Sequence, residues 1–351
     1  MTTRIAVPPA PTSRKHPGPP KPVRGRRFFQ SSWLALVALL VALAGCGDKA
    51  DEHPYQGVVL EKDTLYVSAR RWEPHGLEQL TQHAGQVRLQ PAAPALKALR
   101  GDGEITLFIH GYHASESTVE TYFGGLIAHL RGVGAGRGQF MVLDWPSIAR
   151  HWTELSNKER TALAMGSEHP ERGWEIIQYE ADRQMVKRIG TDALLSSLDT
   201  LGATNPRRRV NIVAHSMGCA LVAEAMRKRP QSFAAVSKVL WLAPDLKDNA
   251  LEDAALAPAL ARIGHLDVLF SREDNVLKYL SGLLNISKML GAYGPARPGA
   301  LPGNVVAHDL TQALESDGVH GRYLEKGSAS AHAVAKILSA TGPTKMSDRE
   351  R

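Results

Sequence analysis

The sequence predicts an α/β fold in which a mostly parallel central sheet carries helices on both of its faces. Short apolar runs rich in β-branched residues recur along the chain and are typical of buried strands: Ile105–Ile109, Gln139–Leu143, Val210–Ala214, Val236–Leu242 and Leu266–Phe270. Segments with helical spacing of apolar residues separate these runs, and strands that alternate with helices pair in parallel. A composition that is 43% hydrophobic and 22% charged is typical of a globular protein with a large core.

Residues 1–45 are predicted to be a signal peptide that precedes the folded domain. Residues 8–24 are rich in Pro, Lys and Arg, a composition typical of disorder. The apolar stretch Trp33–Ala44 follows Arg26-Arg27, has the length of a signal-peptide core and is short for a membrane span. It ends in Leu43-Ala44-Gly45-Cys46, which resembles the bacterial lipobox. An uncleaved signal anchor is the alternative, and the paired arginines leave Sec and twin-arginine export both open.

A lipidated Cys46 would anchor the mature chain to a membrane. Each buried CH₂ of an acyl chain contributes about 0.8 kcal/mol to anchoring. Gly47 follows the cysteine where a retention signal of such lipoproteins would have Asp, so we expect the periplasmic face of the outer membrane. Residues 46–56 would form the lipidated tether. Cys219, the second of the two cysteines, would then have no disulfide partner.

The net charge of +7 belongs to the leader and does not indicate a binding surface. Residues 1–45 hold seven of the 42 basic residues and no acidic one, which leaves the body with 35 basic and 35 acidic residues. The sequence therefore predicts no nucleic-acid partner. It contains no phosphate loop, dinucleotide fingerprint or metal-ligand motif, so no cofactor is expected.

The folded domain is predicted over residues 57–340, followed by a disordered tail at 341–351. It would begin with a hairpin of two strands, Val58–Leu60 and Leu65–Val67, and a late strand is expected at Val305–Leu310. The polar segment 146–173 is either a lid over the site or a surface loop without function. Helices are predicted at Ser117–Leu130, Trp174–Leu201, Met217–Lys228, Asn275–Leu284 and Ala331–Ala340.

Ser216 is the candidate nucleophile because it stands between a predicted strand and a predicted helix. The sequence Ala214-His215-Ser216-Met217-Gly218 follows the G-x-S-x-G pattern with Ala in place of the first Gly, and its small flanking residues permit a sharp turn. Such a turn places the hydroxyl at a helix N-terminus, where the dipole and unpaired N–H groups favour negative charge. An ordinary helix N-cap is the alternative.

Two backbone N–H groups are expected to form an oxyanion hole. One belongs to Met217, directly after the nucleophile, and the other to Tyr112, after the strand Ile105–Ile109. Gly111 would allow the backbone to turn toward the site. One such donor contributes about 3–4 kcal/mol to the stabilisation of a transition state. A plain β-turn at His110-Gly111 is the alternative.

A serine nucleophile needs a histidine base and an acid that orients it, in the chain order Ser, acid, His. His320 lies in a loop before the last predicted helix and is the preferred base, with His332 inside that helix as the runner-up. Asp274 follows the strand Leu266–Phe270 and is the preferred acid, although a helix N-cap would also explain it. Asp245, after the preceding strand, is the alternative acid.

Six motifs follow one another over about residues 100–325: Phe108-Ile109-His110-Gly111-Tyr112, Asp144-Trp145-Pro146-Ser147, Ala214-His215-Ser216-Met217-Gly218, Ala243-Pro244-Asp245, Ser271-Arg272-Glu273-Asp274 and His320. Together they resemble a bacterial α/β-hydrolase family that is catalogued as a domain of unknown function and is related to serine esterases and lipases. The resemblance implies the α/β-hydrolase fold, with Ser216, Asp274 and His320 as the triad. The family tends to place Gly directly before the histidine, whereas this chain has Val319.

The sequence thus predicts a serine hydrolase that cleaves a small-molecule or lipid ester, or a thioester, through an acyl-serine intermediate. His320 would take the proton of Ser216, and Asp274 would support the resulting imidazolium. A non-catalytic envelope protein that binds a partner or a lipid is the alternative, because a fold does not determine a function. Trp145 would either line the pocket or pack in the core.

Overall fold

A nine-stranded sheet lies at the centre of the domain in the part of the chain that the computed structural model describes. The described residues are 60, 63–83, 86–99, 103–112, 114, 118, 121–135, 138–147, 157, 160–161, 170–283, 288–314 and 319–340. The chain divides into two compact units, Met1–Asp48 and Lys49–Arg351, and all described residues belong to the second unit. The predicted signal peptide, Cys46, the tether at 46–56 and the tail at 341–351 lie outside the described residues.

The strands run in the order β3-β2-β1-β5-β4-β6-β7-β8-β9 across the sheet. The two outer pairings, β1 with β2 and β2 with β3, are antiparallel, and every other pairing is parallel. In chain order they are β1 Thr64–Ser68, β2 Glu78–His83, β3 Gln86–Pro91, β4 Glu104–Ile109, β5 Gly138–Asp144, β6 Val210–His215, β7 Val236–Leu242, β8 His265–Phe270 and β9 Val305–Asp309.

Helices lie between most successive strands and after the last strand. They are α1 Trp72–His75, α2 Ala92–Ala98, α3 Gly124–Gly132, α4 Pro170–Met185, α5 Thr191–Thr204, α6 Met217–Lys228, α7 Ala257–Leu260, α8 Asn275–Leu283, α9 Leu290–Tyr293, α10 Val319–Arg322 and α11 Ala329–Ser339. A π-helical turn, Val186–Gly190, joins α4 to α5. Short 3₁₀ turns lie at Pro230–Phe233, Ala250–Glu252 and Pro298–Ala300.

The sheet is covered on both faces, and each face has its own hydrophobic cluster. On one face, the side chains of Leu107 and Ile212 pack with helices α2, α5, α6 and α7. On the other face, Phe108 and Val213 pack with α3 and α11. Alternate residues of one strand point to opposite faces, and a parallel strand buried on both faces is a continuous apolar run. The predicted α/β class with helices on both faces is therefore confirmed.

The predicted strands and helices of the parallel region occur in the structure close to their expected bounds. The predicted hairpin of Val58–Leu60 with Leu65–Val67 is wrong, because β1 already has β2 on one edge and β5 on the other. The two antiparallel strands at this edge of the sheet, β2 beside β1 and β3 beside β2, were missed. Their sequences, EQLTQH and QVRLQP, are largely polar and partly exposed. β2 contains one apolar residue, Leu80, and β3 contains Val87 and Leu89, so the apolar alternation that predicts a strand is short.

The long helix predicted over Trp174–Leu201 is interrupted by the π-helical turn. A Cβ on Gly190 would come within 2.5 Å of the Leu221 side chain, so the turn packs closely against α6. The helix also begins earlier, at Pro170, which places the end of the predicted lid segment 146–173 inside α4. Most of that segment lies outside the described residues, so the lid stays a prediction. The helix predicted from Ser117 begins at Gly124.

Candidate active site

Ser216 lies in a strained turn between β6 and α6. Its φ is 53° and its ψ is −122°, a conformation that costs a non-glycine residue about 1–3 kcal/mol. The backbone on both sides holds it there. The Ser216 N–H donates to the carbonyl of Leu242 at 2.9 Å, and the Ser216 carbonyl accepts from the N–H of Asp245 at 3.2 Å. The end of β7 thus fixes the serine at the carboxyl edge of the sheet, where sites of such folds lie.

Two glycines allow the loop after β4 to approach this turn closely. A Cβ on Gly218 would lie 2.5 Å from the carbonyl oxygens of Ile109 and His110. A Cβ on Gly111 would lie 2.8 Å from the Cβ of Ser216. Real Cβ atoms do not approach other atoms so closely, because interiors are close-packed. The small residues predicted around the serine therefore also admit the neighbouring loop.

Ser216, His320 and Asp274 form a continuous hydrogen-bonded series. The His320 Nε2 atom lies 3.0 Å from the Ser216 Oγ atom. The Nδ1 atom of the same ring lies 2.7 Å from the Asp274 Oδ2 atom. A carboxylate accepts a hydrogen bond, so Nδ1 carries the proton and Nε2 presents its lone pair to the serine. The structure thus brings the three preferred residues together.

Asp274 is fully buried, and each of its carboxylate oxygens has a different hydrogen-bond partner. Its Oδ1 atom accepts a hydrogen bond at 3.1 Å from the N–H of Leu277 in the first turn of α8. Its Oδ2 atom faces His320. The helix-cap bond expected of an N-cap and the contact with His320 expected of the acid therefore occur together, although the sequence offered them as alternatives.

The alternative acid and the alternative base have side-chain partners outside this hydrogen-bonded series. The two carboxylate oxygens of Asp245 each lie 2.9 Å from the hydroxyl of Tyr179, which donates to them. Burial raises the pKa of this carboxyl, against the lowering effect of the Tyr179 bond. His332 lies exposed in the first turns of α11 and packs edge-on against His129, with ring centroids 4.5 Å apart. The structure therefore does not bring His332 to Ser216.

The predicted oxyanion donors occupy the expected segments. Met217 is the first residue of α6, and the first N–H groups of a helix have no acceptor within that helix. Tyr112 follows the end of β4. Gly111 has a different role from its neighbours, because its own N–H donates to the Tyr122 hydroxyl at 2.9 Å. It contributes space for the turn and not a further donor.

A buried ion pair, which sequence reasoning missed, supports the loops after β4 and β5. The Arg70 guanidinium binds Asp144 at 2.9 Å, and it also donates to the carbonyl oxygens of Ala114 at 2.6 Å and of Ser147 at 3.0 Å. Burial would raise the pKa of Asp144, but Arg70 and His110 together hold it well below its usual range. Asp144 stood in a quoted motif, whereas Arg70 gave no local signal, since its partners are 44 to 77 positions away.

Trp145 is a core residue. It is fully buried, it stacks on His110 with ring centroids 5.2 Å apart, and its Nε1–H donates to the His110 carbonyl at 2.8 Å. An indole N–H that finds a buried acceptor satisfies its only polar group. Of the two roles that the sequence left open for Trp145, the structure shows core packing.

A cleft of about 460 Å³ opens beside the first turns of α6. Ser216 and His320 do not line it; its walls include Arg183, Met217, Ala220, Asp245, Leu246 and Met289. Among the described residues, no group of three or more His, Cys, Asp or Glu side chains is arranged to hold a metal ion. None of the helices in the described ranges is both long and apolar enough to cross a membrane.

Comparison with known proteins gives one family. The profile of a family described as "Alpha/beta hydrolase of unknown function (DUF900)" matches residues 95–338, a range that contains all six motifs quoted above. The resemblance drawn from the sequence, and with it the α/β-hydrolase fold, is thereby confirmed. No curated protein matches the chain.

The solved structures that are similar to this chain include three proteins from different organisms. Lipase B of Aspergillus fumigatus is 14% identical with a TM-score of 0.40, over 70% of this chain and 54% of the lipase, so the chain spans about half of that lipase. A lipase-esterase related protein from Clostridium acetobutylicum is 11% identical with a TM-score of 0.34, over 67% and 93% of the two chains. A predicted CIB-like hydrolase from Thermoplasma acidophilum is 13% identical with a TM-score of 0.33, over 74% and 95%.

Proposed function

We propose a function from one established premise, which is that the chain belongs to the family of alpha/beta hydrolases of unknown function. The proposed function is that of a serine hydrolase, which cleaves a carboxylic ester or thioester through an acyl-serine intermediate. The observation that carries the proposal is the hydrogen-bonded series from Ser216 through His320 to Asp274.

In the first half of the proposed reaction, His320 acts as the base. Its Nε2 atom takes the proton of Ser216 Oγ, 3.0 Å away, as Oγ attacks the carbonyl carbon of the ester. Asp274, at 2.7 Å from Nδ1, holds the ring in this tautomer and stabilises the imidazolium that forms. The N–H groups of Met217 and Tyr112 bind the oxyanion.

In the second half, the same histidine acts as the acid and then again as the base. The imidazolium returns its proton to the leaving alcohol or thiol, which departs and leaves the acyl group on Ser216. His320 then deprotonates a water molecule that attacks the acyl-serine. Collapse of the second tetrahedral intermediate releases the carboxylic acid and restores the Ser216 hydroxyl.

Labelling with a fluorophosphonate probe tests this function. A fluorophosphonate reacts with an activated serine, so we expect the wild-type protein to be labelled and Ser216→Ala to remain unlabelled. Ser197→Ala is the matched control, because Ser197 is buried in α5, where its hydroxyl donates to the Ala193 carbonyl at 2.9 Å. A wild-type protein that is not labelled, or a Ser216→Ala variant labelled as strongly as wild type, would contradict the proposal.

A series of p-nitrophenyl esters of increasing acyl length would define the substrate class. A lipid ester hydrolase is expected to gain kcat/KM as the acyl chain grows, because each buried CH₂ contributes about 0.8 kcal/mol. An esterase for small molecules would instead be fastest on acetate or butyrate. An inert protein that captures an envelope partner would favour the non-catalytic alternative.

We also propose that Cys46 is lipidated and that the enzyme works at the periplasmic face of the outer membrane. The support is the basic leader, the apolar stretch Trp33–Ala44 and the Leu43-Ala44-Gly45-Cys46 sequence. Growth of cells with radioactive palmitate should label the wild-type chain and not Cys46→Ser. Label on both chains, or on neither, would contradict the lipid anchor.

A further inference from the structure

We propose that Tyr122 and His215 are positioning residues that connect the oxyanion loop, the nucleophile turn and the segment of the catalytic histidine into one hydrogen-bonded unit. The inference rests on the proposed serine hydrolase function and assigns that site two further residues. Neither residue touches the reacting atoms in the mechanism above. Each acts through the backbone of a neighbour that does.

Three hydrogen bonds form the connection. The Gly111 N–H donates to the Tyr122 hydroxyl oxygen at 2.9 Å. The Tyr122 hydroxyl lies 2.8 Å from the Nδ1 atom of His215. The Nε2 atom of His215 lies 2.9 Å from the backbone carbonyl oxygen of His320. These bonds join parts of the chain that are 93 and 105 positions apart.

The bond between His215 Nε2 and the His320 carbonyl determines which atom donates in the other two hydrogen bonds. A carbonyl oxygen only accepts, so the His215 Nε2 atom carries a hydrogen. In a neutral ring, Nδ1 is then an acceptor, and the Tyr122 hydroxyl must donate to it. The hydroxyl oxygen keeps a lone pair for the Gly111 N–H. The neutral Nε2–H tautomer thus satisfies all three bonds, whereas protonation of His215 would reverse the second, so that Nδ1–H donates to the Tyr122 oxygen and the Tyr122 hydroxyl hydrogen loses its acceptor.

The surroundings favour that neutral state. Burial holds the pKa of His215 well below its ordinary value of 6.5, and the neighbouring His320 lowers it further. Burial also raises the pKa of the Tyr122 hydroxyl, which therefore keeps its proton. The groups that face the His215 ring are Tyr122, His320 and Tyr323, whose ring centroids lie 5.8, 4.8 and 6.3 Å away.

Each end of the connection lies next to a catalytic group. Gly111 precedes Tyr112, whose N–H is a proposed oxyanion donor, and His215 precedes Ser216. The His320 carbonyl belongs to the same residue as the base. The imidazole of His320 is therefore held by Ser216 and Asp274, while its backbone is held independently by His215.

The space around Gly111 shows how closely the parts fit. A Cβ on Gly111 would lie 2.7 Å from the Tyr122 hydroxyl oxygen and 2.8 Å from the Cβ of Ser216. The hydroxyl therefore occupies space that only glycine leaves open. A loss of this hydroxyl would release the oxyanion loop from the nucleophile turn, and displacement of a reacting group by 1 Å can cost about 100-fold in rate.

Steady-state kinetics of Tyr122→Phe, His215→Phe and the double variant, on a p-nitrophenyl ester that wild type cleaves, test the inference. Each single variant should lower kcat about 10- to 100-fold with little change in KM, because alignment and not ground-state binding is lost. The double variant should be only about as slow as the slower single variant, since both break the same connection. The rate of fluorophosphonate labelling should fall in parallel.

Tyr323→Phe is the matched control. Tyr323 is fully buried with its ring centroid 6.3 Å from that of His215, and its hydroxyl has no hydrogen-bond partner among the described residues. Its removal should leave kcat within twofold of wild type. Melting temperatures of all variants show which of them fold.

If the wild-type protein is labelled at Ser216, two results would overturn this inference and leave the proposed function intact. One is a folded Tyr122→Phe variant with wild-type kcat and labelling rate. The other is full additivity of the two single losses in the double variant, which would indicate independent packing effects. A wild-type protein that neither hydrolyses esters nor reacts with the probe would instead overturn the proposed function, and this inference with it.

Discussion

Two histidine–aspartate pairs of equal length lie in different regions of the sheet. His320 Nδ1 is 2.7 Å from Asp274 Oδ2 at the carboxyl edge, and His308 Nε2 is 2.7 Å from Asp267 Oδ1 between β8 and β9. Both carboxylates are almost completely buried. By distance and burial alone, either pair could orient a catalytic base.

The pairs differ in the hydrogen-bond partner of the second ring nitrogen of the histidine. His320 uses Nδ1 for the carboxylate and presents Nε2 to the hydroxyl of Ser216 at 3.0 Å. His308 uses Nε2 for the carboxylate, and the structure brings no serine hydroxyl among the described residues to its ring. His265 also approaches Asp267, at 3.5 Å. A histidine–aspartate pair therefore indicates catalysis only when a nucleophile completes it.

The largest expected effect is a loss of kcat that distinguishes His320 from His308. We expect His320→Ala to lower kcat on a p-nitrophenyl ester by about 10⁴-fold or more, because the serine loses its base. His308→Ala should stay within twofold of wild type. Equal losses in the two variants, measured as initial rates on folded protein, would contradict the assignment of the base.

Substitution of the two carboxylates should likewise have very different effects on kcat. Asp274→Asn should lower kcat about 10³- to 10⁴-fold, since an amide no longer fixes the ring tautomer or stabilises the imidazolium. The Asn oxygen can still accept from the Leu277 N–H and retain the helix cap. Asp267→Asn should leave kcat within twofold. A Tm of Asp274→Asn close to that of wild type would show that the cap persists.

A substitution near the His308–Asp267 pair should lower the stability of the fold and leave kcat unchanged. Lys238, on β7, donates to the carbonyl oxygens of Ile337, Leu338 and Ala340 at 2.6 to 2.9 Å, and so caps the end of α11. Lys238→Met should lower the free energy of unfolding by about 1–3 kcal/mol, because three carbonyls at the end of α11 lose the charged donor that Lys238 supplies. Urea denaturation measures the loss, and an unchanged midpoint would contradict the cap. The kcat of the folded variant should equal that of wild type.

The smallest expected effect concerns the free energy of unfolding at acid pH and arises from His215, at the carboxyl edge of the sheet. The folded-state pKa of His215 lies below its ordinary value of 6.5, so the unfolded chain binds the proton more readily. Its contribution is therefore fully present above about pH 6.5 and declines as the pH falls below that value toward the folded-state pKa, by up to about 1.4 kcal/mol per pH unit. Chemical denaturation between pH 7.5 and 5.5 should show a steeper decline in wild type than in His215→Phe. Parallel curves would show that His215 is not the group that titrates.

The sequence alone determined the elements that carry the site. The apolar run of β6, the small residues around Ser216 and the helix after it are local features, and strand, sharp turn and helix follow from residues that are adjacent in the chain. The chain order of serine, acid and histidine also named the preferred triad. The residues that it proposed are those that the structure brings within hydrogen-bonding distance of one another.

Only the tertiary structure decided which of the candidate acids and bases come within hydrogen-bonding distance of one another and of Ser216. Ser216 and His320 are 104 positions apart, and no local pattern fixes how the loop of one packs on the turn of the other. The same holds for Asp245, which pairs with Tyr179, and for Tyr122, which reaches His215. Contacts of this kind follow from the packing of both sheet faces, because a buried polar group takes whichever partner the packed chain brings to it.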